Sequence, residues 1–163
     1  MDELDGTVMR VYIKNACISK DVKLWALVNE TKDIQWDIIC FSETRAPDSN
    51  VELIGGHRLI CSRGDQKYAG VAILIHARWS DSIINISCKN GRLMWVDLTI
   101  GAHTHRYISV YAPHAGYPFA EFQALMDSIR EVVIDTQRRS YKCILGGDLN
   151  TEIGRGPRSV AHS

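Results

Sequence analysis

The sequence lacks several features that would assign a protein to a specialised class. Its five cysteines are an odd number and show no Cys-x-x-Cys or other zinc-like spacing, which argues against a disulfide framework or a zinc ribbon. No stretch approaches the roughly 18 consecutive apolar residues of a membrane span. The acidic start, residues 1–5, has no basic segment ahead of an apolar one. We therefore expect an intracellular protein, nuclear or cytoplasmic, that does not contact a membrane.

An excess of charge of one sign is also missing. Lysine plus arginine and aspartate plus glutamate each number 19, so the formal net charge is zero. The overall charge therefore does not indicate a nucleic-acid partner, although a neutral total still permits a local basic face. Hydrophobic residues make up 45% of the 163 residues, which is ordinary for a single soluble domain with a substantial core.

Apolar segments of strand length recur along the chain. They predict strands at residues 8–13, 36–41, 57–61, 70–76, 83–87, 93–100, 105–112 and 142–147. Helical spacing of apolar residues predicts one helix from Ser19 to about Thr31 and a longer one that begins at Pro118. Segment 47–56 is predicted to be a loop by its turn-forming residues. The pattern predicts one α/β domain of two mostly antiparallel sheets with covering helices.

Several predicted strands end in polar side chains of the kind that build sites. These residues are Asn15, Glu43, Tyr111, His114, Asp148 and Asn150. Asp148 and Asn150 are two residues apart and would project the same way if the extended geometry continued. If the strand ends share one edge, their oxygen-rich pocket would suit Mg²⁺ rather than zinc. The alternative for the last pair is an ordinary polar turn after a strand.

Three segments, in this order, resemble the endonuclease/exonuclease/phosphatase family. They are Ile-Cys-Phe-Ser-Glu-Thr-Arg at 39–45, Tyr-Ala-Pro-His at 111–114 and Gly-Gly-Asp-Leu-Asn-Thr-Glu-Ile-Gly at 146–154, with Asn15 ahead of them. They look most like the apurinic-type endonuclease domains of non-LTR retrotransposons and their host-derived relatives. The resemblance implies a four-layered α/β sandwich over residues 1–154. Residues 155–163 show no periodicity, and we expect them to form a flexible tail.

The same resemblance implies hydrolysis of phosphodiester bonds in nucleic acid, with DNA favoured over RNA as the substrate. The implied cofactor is Mg²⁺ or alternatively Mn²⁺. By position in the motifs, Glu43 and Asn15 would hold the metal. Tyr111 would contact the phosphate, Asp148 would orient the attacking water, and Asn150 would hydrogen-bond the pentacovalent phosphate. Arg45 and His114 would add substrate contacts.

The sequence departs from the family after the Gly-Gly-Asp-x-Asn motif. Family members continue with further strands and a Ser-Asp-His-like segment, to which no residue of this sequence can be matched. We therefore expect a sandwich that is incomplete at its C-terminus, with weak or absent activity. Its open sheet edge would suit a protein partner or self-association. Two alternative functions are a catalytically silent interaction module and a phosphoesterase acting on inositol phosphate or sphingomyelin.

Overall fold

Nine strands form two sheets in the part of the chain that the computed structural model describes, residues 8–15, 26, 29–63 and 69–150. The first sheet has the order β1-β2-β5-β4-β3. Its strands are β1 (Val11–Asn15), β2 (Ile38–Ser42), β3 (Ser49–Glu52), β4 (Arg58–Ser62) and β5 (Val71–Ile75). The β1–β2 pair is parallel and the other pairs are antiparallel.

The second sheet has the order β6-β7-β8-β9. A 3-10 helix, Ala77–Ser82, leads into it from β5. Its strands are β6 (Ile83–Asn90), β7 (Leu93–Ile100), β8 (His103–Tyr111) and β9 (Lys142–Asp148). The helix α1 (Phe119–Arg138) connects β8 to β9, which pair in parallel, because parallel strands need a long crossover connection. The prediction of two mostly antiparallel sheets with flanking helices is confirmed.

The main core lies between the two sheets. Side chains that alternate along β2 and β5, such as Ile38, Cys40 and Ile73, meet Met94 and Val96 of the second sheet. The intervening residues of β2 and β5 form a separate buried cluster, and α1 covers the outer face of β7 and β8. β2 and β5 are buried on both faces, which explains why their sequences are nearly continuous apolar runs.

The structure corrects one element and leaves others untested. The predicted loop at 47–56 contains β3, which pairs with β4 at the edge of the first sheet. Because β3 buries no face, it has no alternation of apolar residues to reveal it. In the helix predicted from Ser19 to about Thr31, Ala26, Asn29 and Glu30 are helical. Residues 19–25, 27 and 28 of that helix and the predicted tail at 155–163 lie outside the described residues. No helix among the described residues is long and apolar enough to cross a membrane.

Candidate active site

Four strand ends meet at one end of the sandwich. In the first sheet, parallel pairing sets Asn15 of β1 opposite Ser42 of β2. In the second sheet, it sets Tyr111 of β8 opposite Asp148 of β9. The sheets are tied together nearby, where the hydroxyl of Ser109 donates to the carbonyl oxygen of Phe41 at 3.1 Å. Parallel strands place their carboxyl ends at the same edge, so polar residues distant in sequence converge there.

Glu43 lies at the centre of the first group of polar side chains. Its Oε2 accepts a hydrogen bond from Asn15 Nδ2 at 3.2 Å, and its Oε1 accepts one from Arg45 Nη2 at 2.6 Å. The hydrogen bond from Arg45 is the largest cause of a pKa of Glu43 below its usual value. The carboxylate is therefore ionised at neutral pH, and the guanidinium group of Arg45 is hydrogen-bonded directly to it.

The loop that carries Glu43 has an unusual backbone. Glu43 and Arg45 adopt positive φ angles of 55° and 52°, a left-handed conformation that costs free energy for residues other than glycine. Gly70 holds the loop in place, since its carbonyl oxygen accepts from Thr44 N at 3.0 Å. A Cβ atom at Gly70 would lie 2.8 Å from Arg45 N. The close approach of these two segments therefore requires glycine at position 70.

A second group forms around Asp148, where β9 ends. Asp148 Oδ1 accepts a hydrogen bond from Asn150 N at 2.8 Å, and Asn150 Nδ2 donates to the carbonyl oxygen of Ala112 at 2.6 Å. Asn150 has a φ of 47°, so the extended geometry assumed from the sequence is wrong beyond Asp148. The Asp148 carboxylate closes a side-chain-to-backbone turn on Asn150, while the Asn150 side chain is held by the backbone of Ala112.

Two glycines position Asp148. A Cβ at Gly146 would lie 3.0 Å from Ile13 Cγ1 and 3.4 Å from Cys40 Cβ, so this position lets β9 approach the first sheet. Gly147 has a φ of 143°, and a Cβ there would overlap the carbonyl oxygen of Val110 on β8. The two glycines that precede Asp148 in the sequence are therefore required for packing.

Tyr111 lies between the two groups. Its side chain is buried, and burial is the largest cause of its raised pKa, followed by the negative charge of Glu43. Asp148 also raises this pKa, while Arg92 lowers it. The phenol is therefore neutral at physiological pH and can donate a hydrogen bond to an anion in the site.

His114 is exposed and lies further out. Its Nδ1 accepts a hydrogen bond from Gly116 N at 3.1 Å, and its ring lies 4.6 Å from that of Tyr117. Among the hydrogen bonds of the described residues, none joins His114 to Glu43 or Asp148. The structure thus brings the other six predicted site residues into two adjoining groups and places His114 at their margin.

Arg92 and Tyr117 are neighbours of the site that the sequence interpretation missed. The guanidinium carbon of Arg92 lies 5.3 Å from the ring centre of Tyr111 and 5.0 Å from that of Tyr117. Arg92 Nη1 also donates to the carbonyl oxygen of Tyr111 at 3.3 Å. The available signal was the position of Arg92 directly after the Asn-Gly turn, which the pairing of β7 with β8 brings beside Tyr111.

A cluster of titratable residues lies at the opposite end of the first sheet. The rings of His57 and His76 are 4.8 Å apart, and each is 5.0 Å from the ring of Trp36. His57 Nδ1 accepts from Ala77 N at 3.0 Å, and His76 Nδ1 accepts from Arg78 N at 3.2 Å. Burial is the largest cause of a lowered pKa at both histidines. These imidazoles act as neutral hydrogen-bond acceptors for the backbone.

Comparison with known families identifies the fold. The model of the endonuclease/exonuclease/phosphatase family matches residues 19–162. The chain belongs to this family. Comparison with the curated proteins finds no match.

Several solved structures share the fold of this chain. TDP2 from Caenorhabditis elegans has a TM-score of 0.62 at 16% identity, over 90% of this chain and 50% of that one. The endonuclease domain of TRAS1, a telomere-specific non-LTR retrotransposon, has a TM-score of 0.57 at 17% identity, over 89% and 62%. The AP endonuclease LMAP from Leishmania major has a TM-score of 0.62 at 15% identity, over 86% and 54%. The chain thus spans about half to three fifths of the length of these structures.

Proposed function

We propose that this chain hydrolyses phosphodiester bonds in nucleic acid, with DNA as the substrate and Mg²⁺ or Mn²⁺ as the cofactor. The observation that carries the proposal is the convergence of Asn15, Glu43, Tyr111 and Asp148 at one end of the sandwich. A neutral phenol, two carboxyl groups and an amide in one place match the needs of reaction at a phosphate.

The donor groups fit a hard divalent cation. Glu43 is ionised, and Asn15 donates through its Nδ2, so its Oδ1 is the oxygen available as a ligand. Among the described residues, no group of three or more His, Cys, Asp or Glu side chains could hold a metal. Mg²⁺ commonly uses one or two carboxylates and retains several waters, so Glu43 and Asn15 would hold it. When bound, it would neutralise charge on the phosphate.

The remaining side chains have distinct roles in this proposal. Tyr111 donates a hydrogen bond to a phosphate oxygen, because its raised pKa keeps the phenol protonated. Asp148 orients the attacking water, and its own orientation is fixed by the hydrogen bond that it accepts from Asn150 N. Asn150 contributes at the phosphate, and Arg45 adds positive charge beside Glu43. Positioning of reactants and charge stabilisation supply most of the catalysis in such transfers.

The identities of the structural neighbours support a nucleic-acid substrate. They include a retrotransposon endonuclease domain and an AP endonuclease. A further neighbour is a 3′ phosphatase from Neisseria bound to a product DNA hairpin, with a TM-score of 0.61 at 21% identity. Among the activities of these neighbours, we propose endonuclease activity of the retrotransposon type for this chain.

The test is cleavage of a supercoiled plasmid and of a duplex with one abasic site, with Mg²⁺ or with a chelator. We expect Mg²⁺-dependent nicking that Glu43→Gln lowers by about a hundredfold or more, the scale for losing one charge-stabilising group. Glu52→Gln is the matched control, because Glu52 is an exposed glutamate on β3, at the opposite end of the first sheet. It should nick at the wild-type rate.

Two results would contradict the proposal. One is the absence of metal-dependent cleavage of plasmid, abasic duplex and RNA by the wild-type chain, both alone and after extension by the C-terminal strands and Ser-Asp-His segment of a family member. The other is an equal loss of activity in Glu43→Gln and Glu52→Gln, which would show that the activity does not depend specifically on the candidate site. Hydrolysis of inositol phosphate or sphingomyelin without hydrolysis of nucleic acid would assign the site to a different substrate.

A further inference from the structure

Four side chains form a layered cluster that begins in the candidate active site. Arg92 lies between the rings of Tyr111 and Tyr117, and the ring of His114 meets that of Tyr117 edge-on at 74°. Tyr111 is buried, whereas Tyr117 is half-buried and His114 is exposed. The cluster therefore runs from the active-site phenol outward to the protein surface.

The outer part of the cluster is held by a tight turn. Tyr117 N donates to the carbonyl oxygen of His114 at 3.0 Å, and His114 Nδ1 accepts from Gly116 N. A Cβ atom at Gly116 would lie 2.9 Å from His114 Cε1, so the imidazole packs directly on the glycine. The rings of His114 and Tyr117 are thus oriented before any ligand arrives, which lowers the entropic cost of binding.

A purely structural role accounts for only part of this arrangement. Arg92 supports Tyr111 by donating to its carbonyl oxygen and by lying over its ring, and this contact needs no second ring. Tyr117 extends the cluster toward solvent instead of filling the core. Partly exposed aromatic rings next to a phosphate site are the common means of holding bases of single-stranded nucleic acid.

We propose that Tyr117 and His114, supported by Arg92, form a stacking surface for an unpaired nucleobase next to the phosphate bound at Tyr111. This inference rests on the proposed function and adds to it a substrate class, single-stranded or locally unpaired nucleic acid. A base can stack on a protein ring only when one of its faces is no longer stacked on the neighbouring base of its own strand. One stacked base changes affinity by about 5- to 150-fold.

The experiment compares two ligands of equal charge, a fluorescent ten-nucleotide oligo-dT and a ten-residue backbone of tetrahydrofuran abasic sites. Dissociation constants are measured by anisotropy with the full 163-residue chain, in a chelator so that no strand is cut. The readout is the ratio of the two constants, which reports the contribution of the bases. This ratio does not depend on turnover or on where along the strand the protein binds.

The wild type should bind oligo-dT at least about fivefold more tightly than the abasic backbone. Tyr117→Ala should remove most of that preference, while Tyr117→Phe, which keeps the ring, should retain it. Phe119→Ala is the matched control, since Phe119 is a 75% exposed ring two residues away that stacks on Phe122 instead of on the cluster. It should leave the preference intact, and thermal melts should show all variants folded.

An unchanged ratio in Tyr117→Ala would overturn the inference and leave the proposed function standing. Equal weakening of both ligands in that variant would also overturn it, because the phenol would then contact the backbone and not a base. A wild-type chain that binds neither ligand would overturn the proposed function, and this inference with it.

Discussion

The substitution Gly147→Ala tests whether the two glycines of β9 are required by packing. Gly147 has a φ of 143°, and an added Cβ would overlap the carbonyl oxygen of Val110 and lie 2.8 Å from its carbonyl carbon and nitrogen. The obstacle is backbone, so no side-chain rotation can relieve it. Val110 is fully buried and pairs with Gly147 in the β8–β9 ladder, so neither strand can withdraw without breaking hydrogen bonds.

The expected loss follows from two terms. A non-glycine residue held in a sparsely populated backbone conformation costs about 1–3 kcal/mol. Forcing an extra methyl group into a packed interior costs about another 1–3 kcal/mol. Together they predict a loss of about 2–6 kcal/mol, a large part of the roughly 5–15 kcal/mol that keeps a domain folded.

Gly101→Ala is the matched control. Gly101 has a positive φ of 58° but lies exposed in the turn between β7 and β8, so its substitution should cost about 1–2 kcal/mol through backbone strain. Urea unfolding followed by circular dichroism measures the free energy of unfolding of each variant. If Gly147→Ala is no less stable than Gly101→Ala, packing against Val110 does not require glycine at position 147.

Two further predictions concern charged groups. Arg45→Met removes a cation from Glu43, so Mg²⁺ should bind several-fold more tightly in calorimetry at low ionic strength; equal or weaker binding would show that Arg45 does not compete with the metal. Because burial lowers the pKa of both His57 and His76 below 6.5, the unfolded chain binds more protons below that pH. The free energy of unfolding should therefore be highest above pH 6.5 and fall from there toward pH 5, and His57→Gln should make the decline shallower in urea titrations at each pH.

Much of the architecture follows from local sequence. The continuous apolar runs of β2 and β5 predict strands covered on both faces, and the structure buries every residue of both strands. The helical spacing after Pro118 predicts α1, and the Asn-Gly pair predicts the β6–β7 turn. These features depend on hydrophobic periodicity and turn chemistry, which involve residues close together in the chain.

The order of the polar motifs also identified the family and most of the candidate site before any geometry was known. Glu43 and Asp148 each follow a buried apolar run, where a strand delivers a side chain to an edge. The resemblance of the surrounding segments then predicted that these ends converge. The roles of the individual residues are predictions, and the Glu43→Gln experiment tests that of Glu43.

Other features were decided only by the tertiary structure. β3 is a strand because β4 pairs with it, and its own residues carry no periodic signal. Asn150 reaches Asp148 through a turn, and Arg45 lies on Glu43. Arg92 joins Tyr117 because antiparallel pairing of β7 with β8 aligns residues far apart in the chain. Such contacts depend on register and approach between distant segments, whereas local sequence specifies only which segments are strands or helices.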